Sequence, residues 1–152
     1  LEYKDIFNYV VTKSWLSRAR RPDNEIRWHI HSTSHISFVY YLSTPDNSHA
    51  IEFENSCTKN DLFKAMNVED DDTPDRNMVN KFNPLNSPAF YMQPLEGHLV
   101  LFPSQLSHHT RFMGGNFEGE RLGIVGDITL MLKQNELHYS MGYIDDKYWK
   151  KY

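Results

Sequence analysis

The sequence predicts a mainly β fold, a double-sheet antiparallel architecture of the jelly-roll kind. Two blocks of short β-branched and aromatic runs, residues 26–42 with 50–53 and residues 98–103 with 121–132, end in turn residues, as strands do. No segment shows the alternation of strand, roughly 12-residue helix and strand that a parallel α/β sheet requires. Aromatic residues make up 14% of the chain, which suits pleated, half-buried surfaces better than a disordered polymer. With 152 residues, the chain is long enough to bury a core without covalent staples, and residues 1–152 read as one domain.

The first block contains RWHIHSTSHISFVYYLSTP at 27–45, where three histidines precede a strongly apolar run. Side chains alternate along an extended strand, so His29 and His31 share one side while Trp28 and Ile30 take the other. A bend at 32–34 separates His35 from that pair. Further on, alternation sends one of Tyr40 and Tyr41 inward and the other outward. The IEFEN stretch beginning at Ile51 continues the block and carries Glu52 and Glu54.

Residues 55–93 read as an insertion or lid, with the acid run EDDD at 69–72, prolines at 74, 84 and 88, and one candidate helix near 59–67. Two turn segments follow, PLEG at 94–97 and GGNFEGE at 114–120. Between them, HLVLFP reads as a strand, and Pro103 with Ser104 turns the chain before His108 and His109. The run RLGIVGDITLML, starting at Arg121, closes the sheet.

Charge and composition exclude several classes. Sixteen basic against 20 acidic residues leave a net charge of -4, which argues against a nucleic-acid binder; Lys13, Arg18, Arg20, Arg21 and Arg27 read as a solvated basic face. No apolar run approaches the ~18 residues that span a bilayer. The lone Cys57 excludes an intramolecular disulfide, and a cytoplasmic location is expected. The chain starts at Leu1 without an initiator Met, which leaves room for elements upstream.

Two imidazoles a few ångströms apart on one strand face can share a divalent cation, and neutral imidazole suits first-row transition metals. A third ligand has to come from elsewhere, and His108 and His109 are the candidates. His35, His49, His98 and His138 have no such geometry and read as structural or surface residues.

These same residues carry a resemblance. HIHSTSHISFVYYLSTP resembles the "HxH, small residues, SGVYYL, P" stretch of a bacterial and phage family of 2-oxoglutarate and Fe(II)-dependent oxygenases. LEGHLVLFPSQLSHHT is similar to its "G-x-L-x-x-FPS-x-L-x-H" stretch, and ERLGIVGDI to its closing "R-x-S-x-S-F-N". The resemblance covers Trp15 to about Ile128 and implies a double-stranded β-helix, a jelly-roll and cupin-like variant, with iron near the open end of the barrel. It also implies His29, His31 and His108 as metal ligands, Arg121 as the salt-bridge partner of the far 2-oxoglutarate carboxylate, and Tyr41 as a hydrogen-bond donor to that group. The implied activity is hydroxylation of a small-molecule or peptide substrate with release of succinate and CO2.

The sequence departs from the pattern at four places. His31 stands where the wider superfamily has a carboxylate, so the site has three histidines or draws a carboxylate from Glu52 or Glu54. Phe38 puts a ring where the family has almost no side chain. The closing position is Asp127, and Arg121 is followed by Leu122 and Gly123 rather than a hydroxyl residue.

Two other readings stay open at this point. One is a cupin-like metal protein that binds a small ligand or acts as a dioxygenase or isomerase without 2-oxoglutarate; the other is a non-catalytic binding module. An Arg121 side chain turned into the barrel favours the oxygenase, and one on the outer face favours the cupin-like protein. The sequence leaves the oligomeric state open, a homodimer included.

Overall fold

In the computed structural model, the described residues are 7–55, 87, 89–115 and 117–133. They form seven strands and no helix: β1 (Phe7–Ala19), β2 (Ile36–Ser43), β3 (Ala50–Glu54), β4 (Ala89–Met92), β5 (Leu99–Pro103), β6 (His108–Arg111) and β7 (Arg121–Leu132). The candidate helix near 59–67 lies outside the described residues. Among the described residues, no helix is long and apolar enough to cross a membrane.

Every pairing is antiparallel, and the strands divide into one sheet of order β1-β7-β2-β5 and another of order β4-β3-β6. The chain crosses repeatedly between the two sheets, which is the winding of a double-stranded β-helix. Residues 26–31 add a partial strand beside β6, held by an antiparallel bridge between His29 and His108 and by the Thr110 N–H donating to the Ile26 carbonyl at 3.0 Å. The bend read at 32–34 lies between that partial strand and β2.

Alternation sorts the faces of the larger sheet. Ser37, Val39 and Tyr41 of β2 are buried, whereas Tyr40 and Leu42 are exposed. The core lies between the sheets, where Ile51 and Phe53 of β3 meet Phe102 of β5, with Val100 and Leu106 packed against them.

Lys13, Arg18, Arg20, Arg21 and Arg27 are all exposed, as a solvated basic face requires; Lys13 and Arg18 lie on a 13-residue strand, β1, paired along nearly its whole length with β7. The segment 55–93 is not all insertion, because Ala89–Met92 pairs with β3 in the register Phe53↔Phe90; residues 56–86, where a lid would lie, are outside the described residues. The ring of Phe38 fits because its partner across the sheet is Gly126, where an added Cβ would collide with that ring.

Candidate metal centre

The backbone brings three imidazoles together. His29 and His108 each donate their N–H to the other's carbonyl at 3.0 Å, and residues directly opposed in such a pair project their side chains to the same side. His31 lies two residues further along and shares that side by alternation; its N–H donates to the Ser104 carbonyl at 2.8 Å. The ring centroids are 5.1 Å apart for His29–His31, 4.2 Å for His29–His108 and 5.2 Å for His31–His108. One ligand nitrogen from each lies within 4.8 Å of the others.

The hydrogen bonds decide which nitrogen that is. Nδ1 of His29 faces the Arg27 carbonyl at 2.8 Å, Nδ1 of His108 the Leu106 carbonyl at 2.8 Å, and Nδ1 of His31 the Asp127 Oδ1 at 2.6 Å. A carbonyl or an ionised carboxylate only accepts, so each bond assigns the proton to Nδ1 and the lone pair to Nε2. Three imidazoles that each turn Nε2 toward one place form a donor set suited to a first-row divalent ion. Burial pushes the His108 imidazole down to about 4, helped by the neighbouring His29 and His31 and opposed by its Leu106 hydrogen bond and by Asp127. Its ring therefore stays neutral at physiological pH.

Glu52 and Glu54 do not join the cluster. Glu52 sits on the opposite face of β3 from Ile51 and Phe53, where its Oε2 accepts from His109 Nε2 at 2.8 Å. His109 is stacked on Trp28 at 4.0 Å, so the second histidine of SHHT serves the outside of the sheet. Glu54 is exposed. Among the described residues, the only group of three or more His, Cys, Asp or Glu side chains placed to share a metal is His29, His31 and His108.

The carboxylate near the site is Asp127, which the sequence reading took only as a departure at the closing position. It is 2% exposed and accepts from both His31 and Ser37, the latter at 2.9 Å. The obtainable signal was register: Ser37 lies directly across from Asp127 on the inner face.

Arg121 opens β7 six residues before Asp127, so alternation puts both on the inner face. Its side chain is buried, with Nη2 donating to the Tyr41 hydroxyl at 3.5 Å and the guanidinium carbon 5.1 Å from the Tyr41 ring centre. Nε is buried with no partner among the described residues. A buried guanidinium N–H without an acceptor suits an anionic oxygen from a ligand. Burial raises the Tyr41 pKa more than the Arg121 charge and hydrogen bond lower it, so the phenol keeps its proton.

The remaining histidines take other roles. His35 Nδ1 accepts from the Leu130 N–H at 3.1 Å, buried His49 donates from Nε2 to the Pro22 carbonyl at 2.9 Å, and His98 lies exposed in the turn before β5. His138 lies outside the described residues.

Comparison with known proteins adds two findings. A family model described as "Putative 2OG-Fe(II) oxygenase" matches residues 13–127. A crystal structure of an oxidoreductase of the 2OG-Fe(II) oxygenase family from Burkholderia pseudomallei superposes with a TM-score of 0.52 at 13% identity, over 81% of this chain and 46% of that one. At that identity the likeness speaks for the fold, and this chain spans about half the length of that protein. No curated protein matches.

Proposed function

The chain belongs to the family described as "Putative 2OG-Fe(II) oxygenase", and from that premise we propose that it is a non-haem Fe(II) and 2-oxoglutarate-dependent dioxygenase. The observation that carries the reading is the tautomer-locked trio: His29, His31 and His108 each commit Nδ1 to an acceptor and offer Nε2 to one ion. These three would hold Fe(II). Bound there, the metal supplies the redox chemistry that couples conversion of 2-oxoglutarate to succinate and CO2 with hydroxylation of a small-molecule or peptide substrate.

The protein's own part is to bind, orient and keep water out. Arg121 would grip the far carboxylate of 2-oxoglutarate with its guanidinium fork, and its unpartnered Nε is the reason to assign it that role. Tyr41 would donate a second hydrogen bond from a hydroxyl that burial keeps protonated. Its ring, packed against the guanidinium, fixes the Arg121 side chain before cofactor arrives. A buried arginine on the inner face favours this reading over the cupin-like one, which has no use for it.

The test is anaerobic addition of Fe(II) and 2-oxoglutarate to the purified protein. A visible metal-to-ligand charge-transfer band is expected in wild type and none in His29→Ala. Absence of the band in wild type, or an undiminished band in the variant, would overturn the reading.

A further inference from the structure

We propose that Asp127 is a positioning residue of the metal centre: its carboxylate holds the His31 ring with Nε2 presented to the metal and lends an all-histidine site the negative charge its ligands lack. The inference rests on the functional reading above and concerns a residue outside the ligand set.

Three observations carry it. The three ligand rings are not tied alike. His29 and His108 each bond the carbonyl two residues upstream in their own segment, a local and uncharged contact. His31 alone reaches across to the other sheet and bonds a carboxylate, at 2.6 Å. A bond that short to an ionised acceptor belongs to the charge-assisted class and is correspondingly strong.

A carboxylate 2% exposed is costly unless it is hydrogen-bonded on several sides, and here the fold has built that support. Ser37 Oγ donates to Asp127 Oδ1 at 2.9 Å, Ser37 and Ser104 hydroxyls are 2.9 Å apart, and Ser34 Oγ donates to Ser104 Oγ at 2.9 Å. Each serine has one proton. Ser37 spends its proton on Asp127, so it must accept from Ser104, which in turn accepts from Ser34. All three O–H dipoles run toward Oδ1, an orientation that stabilises an anion and polarises each bond in the chain.

The elements supplying this network are those that build the site. Ser34 follows His31 at the bend, Ser104 receives the His31 N–H on its carbonyl, and Ser37 faces Asp127 in the β2–β7 register. The network therefore fixes the orientation of one ligand ring, and its carboxylate makes that ring a stronger donor than its two neighbours.

Co(II) serves as the probe, titrated into the purified chain and followed by its visible ligand-field bands, with circular dichroism as the check on folding. Asp127→Asn keeps size and an acceptor oxygen but removes the charge. It is expected to bind Co(II) about 10- to 100-fold more weakly, with altered band positions. Wild-type affinity and an unchanged spectrum in folded Asp127→Asn would overturn the proposal, because a purely structural role lowers thermal stability and leaves the spectrum alone. Should Asp127→Asn not fold, Ser37→Ala decides. A several-fold weaker affinity is expected there, and an unchanged affinity overturns the proposal. His29→Ala separates the two failures: wild type that binds no Co(II), or His29→Ala that binds it equally well, sinks the functional reading itself.

Discussion

At the scale of single residues, different side chains would hold the metal and the cofactor carboxylate, and the separation can be measured. Arg121 is not among the clustered imidazoles, so Arg121→Lys should leave Co(II) affinity unchanged. An ammonium cannot reproduce the planar fork on a carboxylate, and the concentration of 2-oxoglutarate that half-saturates the anaerobic band should rise by about tenfold or more, the equivalent of roughly 1.4 kcal/mol. Tyr41→Phe removes one neutral hydrogen bond worth on the order of 1 kcal/mol, so the same titration should shift about fivefold. Because burial raises the Tyr41 pKa above the ordinary 10.0, its contribution should not fade between pH 7 and 9; a decline that disappears in Tyr41→Phe would contradict this. Strand parity paired His29 with His31, and the family resemblance pointed to His108, Tyr41 and Arg121; the structure brings the three imidazoles together and seats Tyr41 against Arg121. Asp127 was not legible in the sequence, because a buried aspartate departs from the usual preference of that residue for the surface, and its partner lies 96 positions earlier in the chain.

At the scale of elements, legibility followed how strongly a strand's own residues ask for a sheet. RLGIVGDITLML is β-branched and apolar, and β7 spans that run. In β1 the Phe, Tyr, Val and Trp side chains are interrupted by Asn, Lys and Ser, and many face solvent, so its local composition resembles a charged surface. It is a strand because β7 offers it a long ladder. The short β6, HHTR, likewise exists through its pairing with β3. Gly126 shows the opposite dependence, where one residue's absent side chain permits another element to close. A Cβ there meets the Phe38 ring and sits 2.9 Å from the Lys13 carbonyl oxygen. Gly126→Ala should therefore lower stability by about 1–3 kcal/mol, the usual range for an overpacked position. In a urea titration, Phe38→Leu combined with Gly126→Ala should recover part of that loss. Equal losses in the single and double variants would mean that the backbone contact dominates.

At the scale of the whole molecule, the histidine cluster joins the two sheets. His108 belongs to the smaller sheet, His29 is paired with it, and His31 is tied to Asp127 in the larger one. An ion held by these rings therefore binds the folded barrel and not the unfolded chain, and at 100 times its dissociation constant it should add about 2.7 kcal/mol to unfolding. His108→Ala should abolish that increment. The same placement sets the acid response of the metal-free protein. The His108 imidazole takes a proton near 6.5 in the unfolded chain and only at about 4 in the folded one, so between those values the unfolded state binds more protons and stability rises with pH. His108 thus contributes no penalty above about 6.5, and stability is lost progressively as the pH falls from there toward about 4. Urea unfolding of the metal-free protein at a series of pH values should show that slope, and His108→Gln should flatten it. A slope unchanged by the substitution would place the acid sensitivity elsewhere in the barrel. Loading with metal opposes the loss until protons displace the ion from the imidazoles, so the acid transition of the loaded protein should lie below that of the metal-free form.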